Sequence, residues 1–166
     1  PAGVESQAAK RFAPDMVSEV KKHLVINKSC TPGKEPYVGV IHRLDKPVSG
    51  VMVYAKTKNA AASLSKQVAE GKMHKKYLAV LCGKPVDNNG TYVDYLKQDK
   101  KNNCSRIVDK SDPESKRAEL EYKVLDCIQT EEKDPQYLSL VEIKLLTGRH
   151  HQIRVQFSGH GTPLYG

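Results

Sequence analysis

No stretch of apolar residues in this chain approaches the ~20 that a bilayer-spanning helix needs. Nor is there a basic start followed by an apolar core and a small-residue cleavage site. A soluble, cytoplasmic protein with no membrane partner is therefore expected. Cysteine is scarce: Cys30, Cys82, Cys104 and Cys127 stand far apart, form no CxxC pair and fall at no Cys/His spacing of the zinc type. Reduced thiols are the expected state. The GxxxxGKS/T loop, the GxGxxG turn and the GxSxG elbow are all missing, which argues against a nucleotide cofactor and against serine-hydrolase chemistry. No segment repeats. Acidic residues are also in the minority, 19 against 27 lysines and arginines, for a net charge of +8 and a pI near 9.3. That balance favours a polyanionic partner through counterion release, with nucleic acid the leading candidate.

What is present fits one globular domain. The 166 residues are 39% hydrophobic and 28% charged, enough to bury a continuous core without metals or disulfides. The charge is uneven. Between residues 56 and 76 there are six lysines and one acid, Glu70, whereas residues 112 to 134 carry eight acids and four basic residues. The first region suits phosphate, although a lysine-rich solvated helix face would read the same way.

Periodicity divides the chain into a few elements. Met16, Val17, Val20 and Leu24 recur at helical spacing behind Pro14 and Asp15, which predicts a short amphipathic helix. After a Lys/Pro/Gly-rich loop, YVGVI (37 to 41) and VMVYA (51 to 55) read as strands separated by the turn signal KPVSG, so Asp45 lies on a connection. The alanine-rich segment after Thr57 predicts a helix capped by that threonine and stopped at Gly71. Strands are expected at 76 to 83, 92 to 96, 119 to 128 and 137 to 146. The polar stretch 97 to 116 predicts a long loop or flexible hairpin. A last helix is expected around Ile153, Val155 and Phe157, closed near Gly159, with Arg149 and Arg154 in its first turns. Runs of strands interrupted by isolated helices predict an α+β fold: a mixed, mostly antiparallel bent sheet around a central catalytic cleft, with flanking helices.

Three clusters carry reactive groups: HRLDK (42 to 46), KKY (75 to 77) and GRHHQIR (148 to 154). Each has an ordinary structural explanation. A turn aspartate caps its local backbone, a tyrosine in an apolar strand packs in the core with its hydroxyl at the rim, and a helical arginine faces solvent. The tandem His150 and His151, with His160 beyond, lacks an HExxH or a carboxylate at helical spacing, so no metal is expected.

Taken together, HRLDKPVSGVMVYAKT, KKYLAVLCG and LLTGRHHQIRVQFSGHGTPLYG resemble the RluA-type RNA pseudouridine synthases in order and spacing, over essentially the whole chain. The resemblance implies a pseudouridine synthase fold in one catalytic domain, residues 1 to 166, expected to be cut at both ends because both ends fall inside family motifs. It also implies isomerisation of specific uridines in structured RNA, ribosomal or transfer, without a cofactor. On this sequence the family's catalytic aspartate corresponds to Asp45, its active-site tyrosine to Tyr77 and the partner arginine to Arg154. Arg43 belongs to the first motif and is expected to help displace or replace the target base. With His42, Lys75, Arg149, His151, Lys56 and Lys58 it makes up the set expected to bind RNA. Val48 stands where the family commonly has threonine, a change that removes no reactive group.

The reaction breaks the ribose-to-N1 bond, turns the base and rejoins ribose to C5, which needs neither ATP, metal nor redox change. The resemblance implies that Asp45 either attacks the anomeric carbon or abstracts a ribose proton to give a glycal. On the same resemblance, Arg154 is expected to supply a charge-assisted hydrogen bond whose planar fork orients the carboxylate. Tyr77 is expected to present its ring to the uracil face and its hydroxyl to the C5 proton. A base stacked in structured RNA must first be extruded, at a cost of a few kcal/mol. The competing expectation is a catalytically silent RNA-binding module of the same fold.

Overall fold

The computed structural model describes residues 1–8, 14–131 and 136–166. Asp134, which closes the acid-rich stretch, lies outside these. The chain forms two compact units, Pro1–Met73 and His74–Gly166. Among the described residues no helix is long and apolar enough to cross a membrane.

The first unit holds helix α1 (Met16–Ile26), strands β1 (Gly39–Val40) and β2 (Tyr54–Ala55), and helix α2 (Lys58–Ala69). Asp15 caps α1 by accepting the Ser18 N–H at 2.7 Å and also takes the Ala8 N–H at 2.8 Å. Its carboxylate is buried. Burial opposes ionisation there, but the Ser18 and Ala8 hydrogen bonds and the charge of Lys21 outweigh it and hold the group below its ordinary 3.8. Thr57 caps α2 through the Ala60 N–H at 3.1 Å, as its sequence position predicts. A Cβ at Gly39 would meet the Ala61 Cβ at 3.1 Å, so glycine on β1 and alanine on α2 allow the helix to lie close against the strand.

The strands expected at 37 to 41 and 51 to 55 shrink to two residues each, pairing Gly39 with Ala55 and Val40 with Tyr54. Beyond Val40 a side chain replaces the ladder: the Val53 N–H donates to His42 Nε2 at 3.1 Å. The period-2 apolar pattern is real, but its partner at that point is an imidazole rather than a backbone carbonyl.

The second unit is one antiparallel sheet of order β3-β7-β6-β4-β5, made of β3 (Lys75–Cys82), β4 (Asn89–Asp99), β5 (Cys104–Ile107), β6 (Lys116–Gln129) and β7 (Tyr137–Leu145), followed by α3 (Gln152–Gly159). Every ladder between named strands is antiparallel. A bulge between Val124 and Asp126 shifts the β6–β7 register. One sheet face packs under α3, where Leu81, Leu120, Tyr122, Val141, Ile143 and Phe157 form the core, with Tyr77 and Ile153 against them. Burial at this scale contributes about 1.5–3 kcal/mol for each large apolar side chain. Burial, reinforced by Tyr122, also pushes the Tyr92 hydroxyl well above its ordinary range, and its ring packs against those of Tyr122 and Phe157.

The polar stretch expected as a loop or flexible hairpin contains a hairpin with a paired strand, Leu96 to Asp99 against Cys104 to Ile107. Asp99 ties its turn by accepting the Lys101 and Asn102 N–H groups at 2.9 and 3.1 Å. The sequence hides this strand because Cys-Ser-Arg-Ile has no alternation strong enough to stand out from its polar flanks. Arg149 is not in a helical turn, as expected, but three residues ahead of α3.

Candidate functional site

In the first unit the HRLD segment is fastened on both sides of the aspartate. The buried Ser6 hydroxyl accepts the Leu44 N–H at 3.2 Å and donates to the Leu44 carbonyl at 3.1 Å. The Gly3 N–H donates to the Lys46 carbonyl at 2.7 Å, and the Val48 N–H to the Asp45 carbonyl at 2.9 Å. This last bond closes a tight turn around Lys46 and Pro47. Val48 therefore supplies its backbone N–H to the turn, which the exchange of threonine for valine does not affect. The Asp45 side chain is exposed on this tethered loop. Arg43 Nη2 donates to Gln7 Oε1 at 3.2 Å. Behind the loop is an apolar cavity of about 180 Å³ whose lining includes Leu44, Val48, Met52 and Tyr54.

Lys56 and Lys58 are exposed at the start of α2, whose first turn has no acid. A helix dipole disfavours cations at this end, so helix stability does not account for their position. Of the other lysines in this basic stretch, Lys66 and Lys72 reach Glu70 at 3.8 and 2.6 Å and Lys76 reaches Glu142 at 3.1 Å.

In the second unit Lys75 and Tyr77 occupy the same face of β3, two residues apart, and Tyr77 is half-buried against the core beneath α3. Lys75 Nζ lies so near Gly148 that a Cβ built there would stand 3.1 Å from it. The KKY strand thus meets the turn that carries Arg149, His150 and His151. The two histidine rings stack at 3.8 Å, and His150 Nδ1 shares a 2.9 Å hydrogen bond with the Ser105 hydroxyl. His151 is the α3 N-cap, with φ +50° and no side-chain cap bond. Arg154, one turn on, lines a groove of about 430 Å³ with Ser105, Ile107, His151, Val155 and Ser158. His160 lies elsewhere, stacked on Tyr92 at 3.8 Å and 3.1 Å from Asp94.

A chain of buried amides holds this arrangement, and sequence reasoning missed it. Gln152 Oε1 accepts the Arg149 N–H and the Thr147 hydroxyl, both at 2.9 Å. Its Nε2 donates to the Glu119 carbonyl at 3.0 Å and to Gln156 Oε1 at 2.9 Å. Gln156 Nε2 donates in turn to Asp94 at 2.7 Å. Gln152 thus fastens the turn that leads into the helix rather than capping the helix itself. Two glutamines at helical spacing among apolar residues were the available signal.

The turn, the groove and the tethered aspartate all occur in segments matched by a known family. The model described as RNA pseudouridylate synthase matches residues 1–159.

This chain belongs to the RNA pseudouridylate synthase family.

It is 35% identical over 133 residues to ribosomal large subunit pseudouridine synthase D of Zymomonas mobilis subsp. mobilis, covering 77% of this chain and 39% of that protein. It is 36% identical over 128 residues to the uncharacterized RNA pseudouridine synthase YlyB of Bacillus subtilis, covering 77% and 39%. The chain thus spans about two fifths of the length of these curated relatives. In fold it is similar to human RNA pseudouridylate synthase domain containing 4, with a TM-score of 0.76 over 100% of this chain and 61% of that one at 23% identity. Human RNA pseudouridylate synthase domain containing 1 gives a TM-score of 0.68 over 87% and 57% at 25% identity. The RluA-type resemblance and the α+β fold with a largely antiparallel sheet, both expected from the sequence, are borne out.

Proposed function

We propose that the protein isomerises uridine to pseudouridine in structured RNA, with Asp45 as the essential carboxylate. The observation that carries this reading is the exposed Asp45 on a loop tied through Ser6, Gly3 and Val48, within a chain matched to the family over residues 1–159. A carboxylate that must meet a ribose needs both access and a fixed direction, and a tethered turn provides both. As the N1 bond breaks, Asp45 either attacks C1′ to form an ester that C5 later displaces, or takes a ribose proton to give a glycal and returns it as C5 joins C1′. In both routes uracil turns, a C5 to C1′ bond forms, C5 gives up its proton and N1 gains one. Tyr77, with its ring rigid against the core, stacks on the uracil, and its hydroxyl handles the C5 proton. Arg154 brings a fixed cation able to make charge-assisted hydrogen bonds. Both are assigned to the same reaction by their motifs. His42 and Arg43, with Lys56, Lys58, Lys75, Arg149 and His151, contact the RNA.

Large-subunit ribosomal RNA is the first substrate to test, because relatives carry that designation. Unmodified transcript is incubated with the protein and pseudouridines are mapped by carbodiimide adducts and primer extension. The expected result is new modification at one or a few uridines. Binding without new sites, on ribosomal and transfer RNA alike, would leave only the silent RNA-binding module.

A further inference from the structure

On the other side of the His150–His151 turn from Arg154 is a second groove of about 430 Å³, lined among others by Lys100, Glu114, Lys116, Gly148, Arg149 and His150. Three of these six carry a fixed positive charge, and Lys75 Nζ adds a fourth beside Gly148. The single acid in the lining, Glu114, is already held by Lys97 Nζ at 2.8 Å. Lys97 also holds Asp112 at 3.2 Å. The groove therefore presents an excess of cations whose local counter-charge is bound elsewhere.

These cations project from ordered backbone. Lys116 pairs with Leu96 in the sheet. Lys100 leaves the hairpin turn that Asp99 ties down. Arg149 Nε donates to the Arg117 carbonyl at 2.8 Å, which fixes the plane of its guanidinium at the groove wall. An open channel in which fixed cations outnumber the one lining carboxylate, itself ion-paired to Lys97, suits a polyanionic backbone better than a small metabolite.

We infer that this groove binds the phosphodiester backbone of the substrate RNA through Lys100, Lys116 and Arg149. The inference rests on the proposed RNA-modifying function and adds a sequence-independent contact surface. Such contacts set position and affinity, while the residues that handle uridine set the chemistry.

The test is the salt dependence of binding, measured by fluorescence anisotropy with a labelled RNA stem-loop over a series of KCl concentrations. For Lys100→Gln/Lys116→Gln the slope of log K against log salt should become shallower by about 2, and affinity should fall to the same extent for unrelated RNA sequences. Arg149→Gln alone should flatten it by about 1, an independent check should the double variant fold poorly. The control, Lys84→Gln/Lys123→Gln, removes the same charge at exposed positions outside the groove and should keep the wild-type slope. A wild-type slope in the groove variants, or an equal loss in the control, overturns the inference. The readout is binding, so the two proposals fail separately. A flattened slope in a protein that isomerises no uridine leaves the groove standing, and an unchanged slope in an active enzyme removes only the groove.

Discussion

The Ser6 hydroxyl holds both backbone groups of Leu44, accepting from its N–H and donating to its carbonyl, one residue before Asp45. Ser6 is 6% exposed, so water cannot readily replace either bond. Ser6→Ala should leave two backbone groups short of partners and cost about 1–3 kcal/mol, measured by urea unfolding. The same substitution should lower kcat, because Asp45 loses the anchor on one side of its turn. A variant with wild-type stability and kcat would show that the loop orients itself without Ser6.

Removing the amide of Gln156 should loosen α3. Gln156→Leu is nearly the same size but leaves Gln152 Nε2 and Asp94 each without one partner. A loss of about 1–3 kcal/mol is expected. Amide hydrogen exchange should quicken through 152 to 159 before it quickens in the β6–β7 pair.

Tyr77→Phe separates packing from chemistry. The ring against the Leu81 and Ile143 core is retained, so the apolar packing is kept. Turnover should fall about 10²–10⁴-fold if the hydroxyl transfers the C5 proton. Full turnover by the phenylalanine variant would confine Tyr77 to stacking.

Asp15 gives a pH prediction with a definite sign. Its folded pKa lies below its ordinary 3.8, so the ionised form stabilises the fold above that pH, and the stabilisation is lost as pH falls through the folded value. Asp15→Ala should therefore cost about 0.5–2 kcal/mol at pH 7. The gap between variant and wild type should narrow as acid titration passes below 3.8. A gap independent of pH down to acid unfolding would mean that packing, not the charged cap, is responsible.

The legible parts of this chain were those in which neighbouring residues decide the structure. Thr57 and Gly71 bracket α2 because capping is local. The strands from Lys75 onward announced themselves because alternation on a half-buried sheet is written in consecutive residues. HRLD, KKY and HQIR could be read as a set because their order and spacing are shared with a family. What escaped depends on distant partners. Nothing near Val51 signals that Val53 will bond to the His42 ring. Nothing near Ser6 signals Leu44, 38 residues away, and Gln156 meets Asp94 at a separation of 62 residues. The polar hairpin at β5 was hard to see because its pairing comes from β4 and its own residues are weak strand formers.

The most direct test of the role of Asp45 is tritium release from RNA labelled at uridine C5, with wild type and Asp45→Asn compared at equal concentration. Wild type should release label in step with pseudouridine formation. Asp45→Asn should release none while its RNA affinity stays within about threefold of wild type, a difference of ~0.65 kcal/mol. Equal release by the two proteins would contradict the assignment of Asp45 as the essential carboxylate.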